Sequence, residues 1–404
     1  MSTRLLFATA LGLESPWFIK EINFDCDKKR LDIVIDFKKG SKFSCPECGT
    51  EHCLIHDTKE RTWRHLDFFQ HQAYLTARVP RVSCGTCGVK QINVPWARKN
   101  TGFTLLFEIM ILQFAQYMAI EPLSVMVNVH TDSLWRILSH YVDQAHSQLD
   151  MSSMENIGID EFSKKSGHQY MTVFGDLDES RVVYLSDGRK TDTIHQFADF
   201  LKQRSIDTCQ IRYACTDMWR AYLRGLNERF PMATLVFDRY HVIAMMNQAV
   251  DLVRRNEYKE QKILKNTRYL WLKNEPHLTQ KQRKTIDSLN NLNLKTSRAY
   301  RIKEALRQLW SCQNRKQAEL YLKKWYFWAT HSRLEPIIQF AKTVKQHWTG
   351  ILNYFHSKIT NGIIEGINSK IKTAMKRAYG FKSFKYLRII VYLVAGKLSL
   401  PTQC

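Results

Sequence analysis

The chain has 404 residues, of which 44% are hydrophobic and 12% aromatic, so it can bury sizeable cores and is not an intrinsically disordered protein. Its length suggests roughly two to four domains. Lys and Arg number 60 against 38 Asp and Glu, which gives a formal net charge of +22. This positive charge favours a polyanionic partner, most commonly nucleic acid; binding to an acidic membrane surface usually also requires an amphipathic basic helix or an anchor.

No apolar segment of the sequence is suited to crossing a bilayer. The longest, LLFEIMILQFAQYMAI, is interrupted by Glu108 and two glutamines, whereas a membrane helix needs about 20 consecutive apolar residues. The first residues, MSTRLLFATALGL, imitate a signal peptide because Arg4 precedes a short apolar run. The cysteine spacing described next is typical of a reducing compartment, so we expect a cytoplasmic protein.

Two Cys-x-x-Cys pairs, each followed by glycine, predict a metal site in the first hundred residues. The cysteines are Cys45, Cys48, Cys84 and Cys87. Each pair can present two thiolates to one tetrahedral ion, so we expect the four to bind a structural Zn²⁺. Redox chemistry is the alternative use of such pairs. Three neighbours are rival ligands: His52, Cys53 and His56.

The pattern changes from alternating strands to helix at Thr101. We expect Glu121–Pro122 to end the first helix. A short helix and the segment HTDSLWRILSHYVDQ then complete the proportions of a helix-turn-helix unit. The positions early in its second helix, where base-edge contacts are made, are Ser133, Trp135 and Arg136. A helical bundle that only joins two domains is the alternative.

The segment after residue 153 alternates strands and helices, which predicts an α/β core with a mixed sheet. NIGIDEF is the first strand and YMTVFGDLDESRVVYLSDGR a hairpin, and later strands are IRYACTDMW and ATLVFDRYH. From about Val242 to Ser357 the sequence is helical and rich in Lys, Arg and Trp.

Three carboxylates of this region are candidate metal ligands. Asp160 and Asp217 end predicted strands, and Glu365 lies on a helix far downstream. Carboxylates in this arrangement can hold two divalent ions, Mg²⁺ or Mn²⁺, for an in-line displacement at phosphorus. Spacing alone cannot choose among the acidic residues, and Asp238 is the strongest rival. The other rivals are Glu161, Asp176, Asp178 and Asp187.

The helix TNGIIEGINSKIK places Glu365 on a polar face with Asn361, Asn368 and Lys372. The isoleucines of the segment fall on the opposite side. The simple interpretation is a solvated face on which Glu365 pairs with Lys372.

Several strings of this sequence resemble those of the DDE transposases of bacterial insertion sequences, specifically the ISL3 group. The matching strings are IGIDEFSKKSGHQYMTVFGDLD, SDGRKTDT, TDMWRAY, FPMATLVFDRYHVI, TNGIIEGINSKIK and RAYGFKSFKYLR. The cysteine pairs and the helix-turn-helix are similar to that group's layout too, so the resemblance covers nearly the whole chain. The group's usual DRFH appears here as DRYH.

The resemblance implies a multidomain α/β protein: an N-terminal zinc ribbon, a helix-turn-helix and an RNase H-like mixed-sheet catalytic core with an all-α insertion. The catalytic residues would be Asp160, Asp217 and Glu365, while Asn368 and Lys372 would approach the phosphate backbone. The expected limits are 1–98 for the zinc ribbon, 99–148 for the helix-turn-helix, 154–241 for the first part of the core, 242–357 for the insertion and 358–404 for the last helices of the core.

The activity implied is Mg²⁺-dependent cleavage at the terminal inverted repeats of a mobile element, followed by strand transfer into target DNA. Such enzymes resemble one another in pairing two DNA ends as oligomers, so we expect at least a dimer, associated with the nucleoid. Two alternatives remain open on the sequence. One is an inactive transposase-derived DNA-binding protein, and the other is an RNase H-like nuclease that only hydrolyses.

Overall fold

The computed structural model divides the chain into two compact units. The residues described are 3–165, 169–360 and 362–401. The first unit runs to Ser147 and includes the last few residues from Leu398, and the second is Gln148–Lys397. Asn361, expected on the face of Glu365, lies outside the described residues. No helix in the described ranges has the length and apolar character needed to cross a membrane.

A short helix and a five-stranded sheet form most of the first unit. These elements are α1 (Thr3–Ala10), β1 (Trp17–Asp25), β2 (Arg30–Phe37), β3 (Leu54–Arg64), β4 (Gln72–Cys84) and β5 (Gly88–Gln91). The order is β1-β2-β4-β3, with β5 on β4, and only β2 and β4 run parallel. The segment that imitates a signal peptide forms α1, whose Phe7 packs against the sheet's core.

Three helices follow the sheet in the first unit: α2 (Leu105–Ala115), α3 (Ile120–Val127) and α4 (Thr131–Ser147). Thr104 caps α2 by accepting a hydrogen bond from the Phe107 amide. The prediction that Glu121–Pro122 ends the first helix is wrong, because α2 ends at Ala115 and Pro122 lies in the first turn of α3. Proline is tolerated there because a first-turn amide has no partner within the helix.

Glu108 interrupts the apolar sequence of α2 and is nonetheless fully buried. Its carboxylate accepts hydrogen bonds from Arg98 Nε at 2.8 Å, Thr101 Oγ1 at 2.7 Å and Tyr141 Oη at 2.8 Å. Since a buried charge is tolerated only when paired and hydrogen-bonded, this set of donors fixes α2 to α4 and to the segment before α2.

The second unit is built on a mixed five-stranded sheet, as expected. Its strands are β6 (Asn156–Lys165), β7 (Gln169–Asp176), β8 (Arg181–Asp187), β9 (Tyr213–Thr216) and β10 (Thr234–Phe237). The order is β10-β9-β6-β7-β8, with β9 and β10 parallel to β6 and with β7 antiparallel to both neighbours. The last strand ends at Phe237, so the DRYH string, predicted as strand, instead begins the next helix.

Helices α5 (Thr191–Gln203) and α6 (Arg220–Arg229) pack on the sheet. Their apolar side chains, including Phe197 and Leu226, share one core with Phe174 of β7. Phe197 stacks on Phe174 with ring centroids 4.3 Å apart. Each of these helices follows one strand and precedes the next, so the chain crosses over the sheet twice, as an α/β fold requires.

The helical region predicted from about Val242 is present and has a core of its own. Its helices are α7 (Arg239–Tyr258), α8 (Arg268–Leu272), α9 (Gln280–Asn290), α10 (Lys295–Gln308), α11 (Arg315–Thr330), α12 (Glu335–Gln346) and α13 (Trp348–Ser357). Two contacts attach α13 to the edge strand β10. Asn353 donates a hydrogen bond to the carbonyl oxygen of Leu235 at 2.8 Å, and Gly350 lies directly against the ring of Phe237.

The chain then returns to the sheet through α14 (Gly362–Arg377) and α15 (Phe384–Ala395). Two glycines of neighbouring strands, Gly158 on β6 and Gly175 on β7, lie beneath Ile364 of α14. A Cβ atom added to Gly158 would lie 2.5 Å from Ile364 Cγ1, and one added to Gly175 would also clash with Ile364. The absence of side chains at these two positions therefore lets α14 approach the sheet closely.

Replacing Gly158 by alanine should destabilise the second unit by about 1–3 kcal/mol, because the new methyl group overpacks a fully buried contact. Gly366→Ala is the matched control, since a Cβ there meets nothing within 4 Å. In the helix interior it should raise stability by about 0.5–1 kcal/mol. Calorimetric unfolding measures both, and a Gly158→Ala protein as stable as wild type would contradict the close approach.

Candidate functional site

The four predicted cysteines of the first unit form one cluster. Their ligand atoms all lie within 4.8 Å of one another, and the Sγ atoms of Cys48 and Cys84 are 3.5 Å apart. Tetrahedral zinc with Zn–S bonds of about 2.3 Å separates its sulfurs by about 3.8 Å, so the cluster fits this ion. Gly49 and Gly88 both have positive φ, +74° and +73°, in the turns after the two cysteine pairs.

The shifted pKa values of the thiols are also consistent with a cation site. Hydrogen bonds from Thr50 lower the pKa of Cys48 to about 6. A hydrogen bond with Cys48, burial, and the neighbouring Cys45 raise the pKa of Cys87 to about 12. A bound cation stabilises all four thiolates at once, so that the sulfurs no longer have to share protons.

The rival ligands lie outside the cluster. Cys53 donates from Sγ to the carbonyl oxygen of Thr50 at 3.3 Å, and burial raises the pKa of its thiol. His56 lies beside Asp57, with its Nδ1 3.2 Å from Oδ2. His52 is exposed. The four-cysteine set predicted from spacing is therefore the set that the fold assembles.

The proposed DNA-reading positions of α4 differ in exposure. Arg136 is exposed, and its guanidinium donates to Ser133 Oγ at 2.9 Å and to the carbonyl oxygen of Asp132 at 3.3 Å. Trp135 is only 9% exposed and belongs to the buried residues of α4. Its expected contact with base edges is corrected to a packing role, since a side chain buried between helices has no edge free to enter a groove.

Asp160 and Asp217 lie at the same edge of the second sheet. The parallel pairing of β6 with β9 sets Gly158 opposite Cys215, so both aspartates come two residues beyond that pair. Burial, against the opposing charge of His241 and with a smaller contribution from the charge of Asp217, raises the pKa of Asp160 to about 6. Burial also raises the pKa of Asp217. Two carboxyls with raised pKa values at one sheet edge form a candidate cation site.

His241, on the first turn of α7, was not among the residues predicted from sequence. Its Nε2 lies 3.9 Å from Asp160 Oδ1. The sequence signal was the DRYH string, which puts a histidine three residues after a strand-ending aspartate. The structure adds that this histidine faces Asp160.

The other acidic rivals of the sheet, except Asp238, already have partners. Asp176 is buried and pairs with Arg181 at 3.1 Å. Glu161 pairs with Arg189, also at 3.1 Å. Asp178 accepts two backbone amides at 3.0 Å, and Asp187 pairs with Lys164. Their charges are used for structure, which removes the main reason to assign them as metal ligands.

Helix α14 packs along β6, and four residues of the helix cover about the same distance as two residues of the strand. Ile364 lies over Gly158, and Asn368 Nδ2 donates to Asp160 Oδ2 at 2.8 Å. Four helical residues rise about 6 Å and two strand residues about 6.6 Å, so the two spacings agree. Asn368 is 7% exposed, and its expected contact with phosphate is corrected to a contact with Asp160.

Lys372 continues the same register and stays exposed, with its Nζ 6.0 Å from the ring centroid of Phe162 on β6. Glu365 is also exposed. No ion pair between Glu365 and Lys372 occurs among the described residues. The simple solvated-pair interpretation of this helix is therefore not what the fold contains.

Glu365 lines a cavity of about 360 Å³. The cavity is also lined by Asp238, Arg239 and Tyr240 at the start of α7, and by Trp310 of the helical region. Within the described part of the chain, the cysteine cluster is the one group of three or more ligand atoms within 4.8 Å of one another. Asp160 and Asp217 thus lie on or directly after paired strands, while Glu365 lines one cavity with Asp238.

Replacing Cys84 by serine should abolish stoichiometric zinc, because the remaining three thiolates leave the tetrahedral site incomplete. Cys53→Ser is the matched control, since Cys53 is equally buried but outside the cluster. Elemental analysis of the purified proteins gives zinc per chain. Zinc retained by Cys84→Ser and lost from Cys53→Ser would show that a rival set binds the metal.

The stability of the protein without added Mg²⁺ or Mn²⁺ should depend on pH through Asp160. Its pKa is 3.8 ordinarily and about 6 in the fold. The protonated Asp160 carboxyl makes its full contribution to the stability of the fold below pH 3.8, and this contribution is lost as the pH rises to about 6. Wild type should therefore lose stability relative to Asp160→Asn between pH 4 and pH 6 in thermal unfolding. Parallel curves for the two proteins would rule out the raised pKa.

Three family profiles match consecutive parts of the chain. A profile described as a zinc-finger of transposase IS204/IS1001/IS1096/IS1165 matches residues 41–87. One described as a helix-turn-helix domain of transposase family ISL3 matches residues 92–142, and the ISL3 profile described as transposase matches residues 157–391, more than half of the chain. Their order agrees with the cysteine cluster, the three helices of the first unit and the second sheet.

Individual relatives give the same result. The chain is 26% identical to the transposase for insertion sequence element IS1557 of Mycobacterium tuberculosis, over 94% of this chain and 92% of the relative. It is 26% identical to the transposase for insertion sequence element IS1001 of Bordetella parapertussis, over 85% and 86%. With its zinc-binding cysteine cluster, helix-turn-helix and mixed α/β sheet in this order, the chain belongs to the ISL3 family of insertion-sequence transposases.

Proposed function

We propose that this DNA transposase cleaves DNA and transfers strands by phosphoryl transfer that depends on Mg²⁺ or Mn²⁺. Asp160, Asp217 and Glu365 are the residues that hold two such ions. The observation that carries the proposal is the pair formed by Asp160, within β6, and Asp217, directly after the parallel neighbour β9, each with a pKa raised by burial. Neither carboxylate forms an ion pair with lysine or arginine among the described residues, and such carboxylates are suited to divalent cations.

When bound, the ions supply an activated attacking oxygen and a stabilised leaving oxygen for in-line displacement. The residues around them orient the carboxylates. Asn368 Nδ2 donates to Oδ2 of Asp160 at 2.8 Å, and the backbone amide of Glu161 donates to Oδ1 at 2.8 Å, with His241 Nε2 3.9 Å from Oδ1. Both oxygens of one carboxylate are thereby directed, as metal ligands in proteins usually are by their neighbours. The cavity beside Glu365 offers space for the DNA strand that reacts.

Water attacks first at the ends of the mobile element and frees a 3′ hydroxyl, which then attacks target DNA. Recognition of the terminal inverted repeats falls to the zinc ribbon (1–98) and the helix-turn-helix (99–148). The exposed Arg136, which donates a hydrogen bond to the half-buried Ser133 near the start of α4, supports this role. Lys372 of α14 and the basic helices of 242–357 contact phosphates, so binding weakens as salt rises.

The segments 154–241 and 358–404 act together as the catalytic core. Transposition joins two ends of one element, so the active complex contains at least two copies of the chain. The protein works in the bacterial cytoplasm, on the nucleoid. Each of these roles follows from the activity proposed and can be tested with it.

Glu365→Gln should abolish cleavage at the element's ends while DNA binding stays at the wild-type level, because the change removes a negative charge and keeps the shape of the side chain. Glu335→Gln is the matched control, an exposed glutamate in the first turn of α12. Cleavage of labelled flanking DNA with Mg²⁺ or Mn²⁺ provides the measurement. We expect a loss of at least about a hundredfold, of the size seen when a group that stabilises developing charge is removed.

The controls distinguish the alternatives. Equal cutting by wild type and Glu365→Gln would show that Glu365 is not the glutamate required for cleavage. Binding without cutting by wild type under either metal would indicate an inactive transposase-derived DNA-binding protein. Cutting without joining of pre-cleaved ends to target DNA would indicate a nuclease that only hydrolyses.

A further inference from the structure

Asp238 is a buried carboxylate that the proposed function leaves without a role. It follows β10, is 3% exposed, and occupies the N-cap position of α7. Its side chain makes no capping hydrogen bond, and its Oδ2 has no partner in the described part of the chain. No ion pair to Asp238 occurs among those residues either.

Every other carboxylate of the described residues that is buried to this degree is compensated. Asp251, about three turns further along α7 than the DRYH string, pairs with Arg254 at 2.8 Å and with Arg255 and Arg268 at 3.4 Å. The remaining four and their partners are Asp36 with Arg78, Glu108 with Arg98, Asp176 with Arg181, and Glu257 with the backbone amides of Lys295 and Thr296. An ionised carboxylate without such partners is strongly disfavoured in the interior.

The position of Asp238 links the two parts of the candidate site. The parallel pairing of β9 with β10 sets Thr216 opposite Phe237, so Asp217 and Asp238 follow directly on adjacent strands. Since β9 also pairs with β6, the strands that carry Asp160, Asp217 and Asp238 are consecutive in the sheet. On its other side Asp238 lines the cavity that contains Glu365.

Further unpartnered oxygens lie in the same region. Thr216 Oγ1 and Asn368 Oδ1 are buried and have no hydrogen-bond partner in the described residues. Thr216 immediately precedes Asp217, and Asn368 donates to Asp160 through its other amide atom. Buried acceptors that lack donors are unusual, and a cation or the water it carries satisfies them.

A purely structural role for Asp238 leaves these contacts unexplained. The positive end of the α7 macrodipole favours a carboxylate nearby, but that effect is small beside the desolvation of a buried charge. In a capping role the Asp238 carboxylate would accept a hydrogen bond from a first-turn amide of α7, and no such bond is present. The remaining compensation for this charge is a cation.

We propose that Asp238 is a fourth metal-binding carboxylate, which joins the site of Asp160 and Asp217 to Glu365. The proposal rests on the function proposed above, since it assigns Asp238 to the same divalent ions. Mg²⁺ and Mn²⁺ are the expected ions, because the ligands are all hard oxygen donors. Asp238 therefore contributes to the affinity for the ions, and in their absence it lowers the stability of the fold.

Two measurements on the full-length, zinc-loaded protein test this proposal. The first is Mn²⁺ binding, followed by the electron paramagnetic resonance signal of free Mn²⁺. The second is the melting temperature with and without Mn²⁺. The variants are Asp238→Asn and Asp238→Ala, the second of which leaves no buried polar group behind. Asp251→Asn is the matched control on the same helix, and Asp160→Asn is the reference for loss of the site.

We expect both Asp238 variants to bind Mn²⁺ at least about tenfold more weakly, a loss typical of damage to a metal site. Without Mn²⁺ their melting temperatures should equal or exceed that of wild type, because an unpaired buried charge has gone. With Mn²⁺ they should gain less stability than wild type. Asp251→Asn should behave in the opposite way, with a lower melting temperature and unchanged Mn²⁺ affinity.

Unchanged Mn²⁺ affinity in both Asp238 variants, together with loss of binding in Asp160→Asn, would overturn the fourth ligand and leave the proposed function intact. Lower melting temperatures of both variants with wild-type Mn²⁺ affinity would identify Asp238 as structural and likewise overturn it. Unchanged affinity in Asp160→Asn would refute the metal site as a whole, and the proposed function with it.

Discussion

The close packing of α14 on β6 is the constraint on which the candidate site depends. Two glycines beneath Ile364 allow this approach, and the agreement between helical and strand spacing then sets Asn368 over Asp160. The helix comes from the far end of the sequence, with 208 positions between the two hydrogen-bonded residues. The α-helical insertion from α7 to α13 lies between them in sequence and is anchored to β10 through Asn353 and Gly350. Helix α14 and the helices from α7 to α13 thus depend on one sheet.

The charge distribution of the second unit concentrates desolvated acid at one edge of that sheet. In most of the fold, a buried carboxylate is matched by an arginine or by backbone amides, as Asp176 and Asp251 illustrate. At Asp160, within β6, and at Asp217 and Asp238, which follow β9 and β10, no ion pair with lysine or arginine occurs among the described residues, although the chain as a whole carries +22. Asp160 responds with a raised pKa, and Asp238 lacks a partner for Oδ2. Sites whose charges are left uncompensated by the protein are the ones suited to an external cation.

Different interactions stabilise the fold of the first unit. The turns that carry the cysteines end in glycines with positive φ, and Cys45 and Cys84 belong to the buried core of this unit. One buried glutamate with three donors then fixes α2 to α4 and to the segment before α2. This arrangement buries Trp135 and leaves Arg136 and Ser133 outward, which defines the surface of α4 available to DNA.

The sequence by itself determined the order of elements, the four zinc ligands and the family. Cysteine spacing is local, and so are alternation and helical periodicity, which is why β6, the hairpin of β7 and β8, and the helical region could be predicted. The sequence also showed that Glu365, Asn368 and Lys372 share one helical face, but not which of them faces the sheet. Proline at position 122 shows the limit of local rules, because proline can end one helix or stand in the first turn of the next.

Only the tertiary structure decided which acids are free to bind a cation. Asp160, Asp176, Asp187 and Asp238 all stand at strand ends in the sequence. Arg181 and Lys164 neutralise two of them, and no partner in the described residues reaches Oδ2 of Asp238. Compensation of a charge is a property of neighbours brought together from distant parts of the chain. No pattern within a single segment encodes it, and it appears only when the strands and α14 have packed.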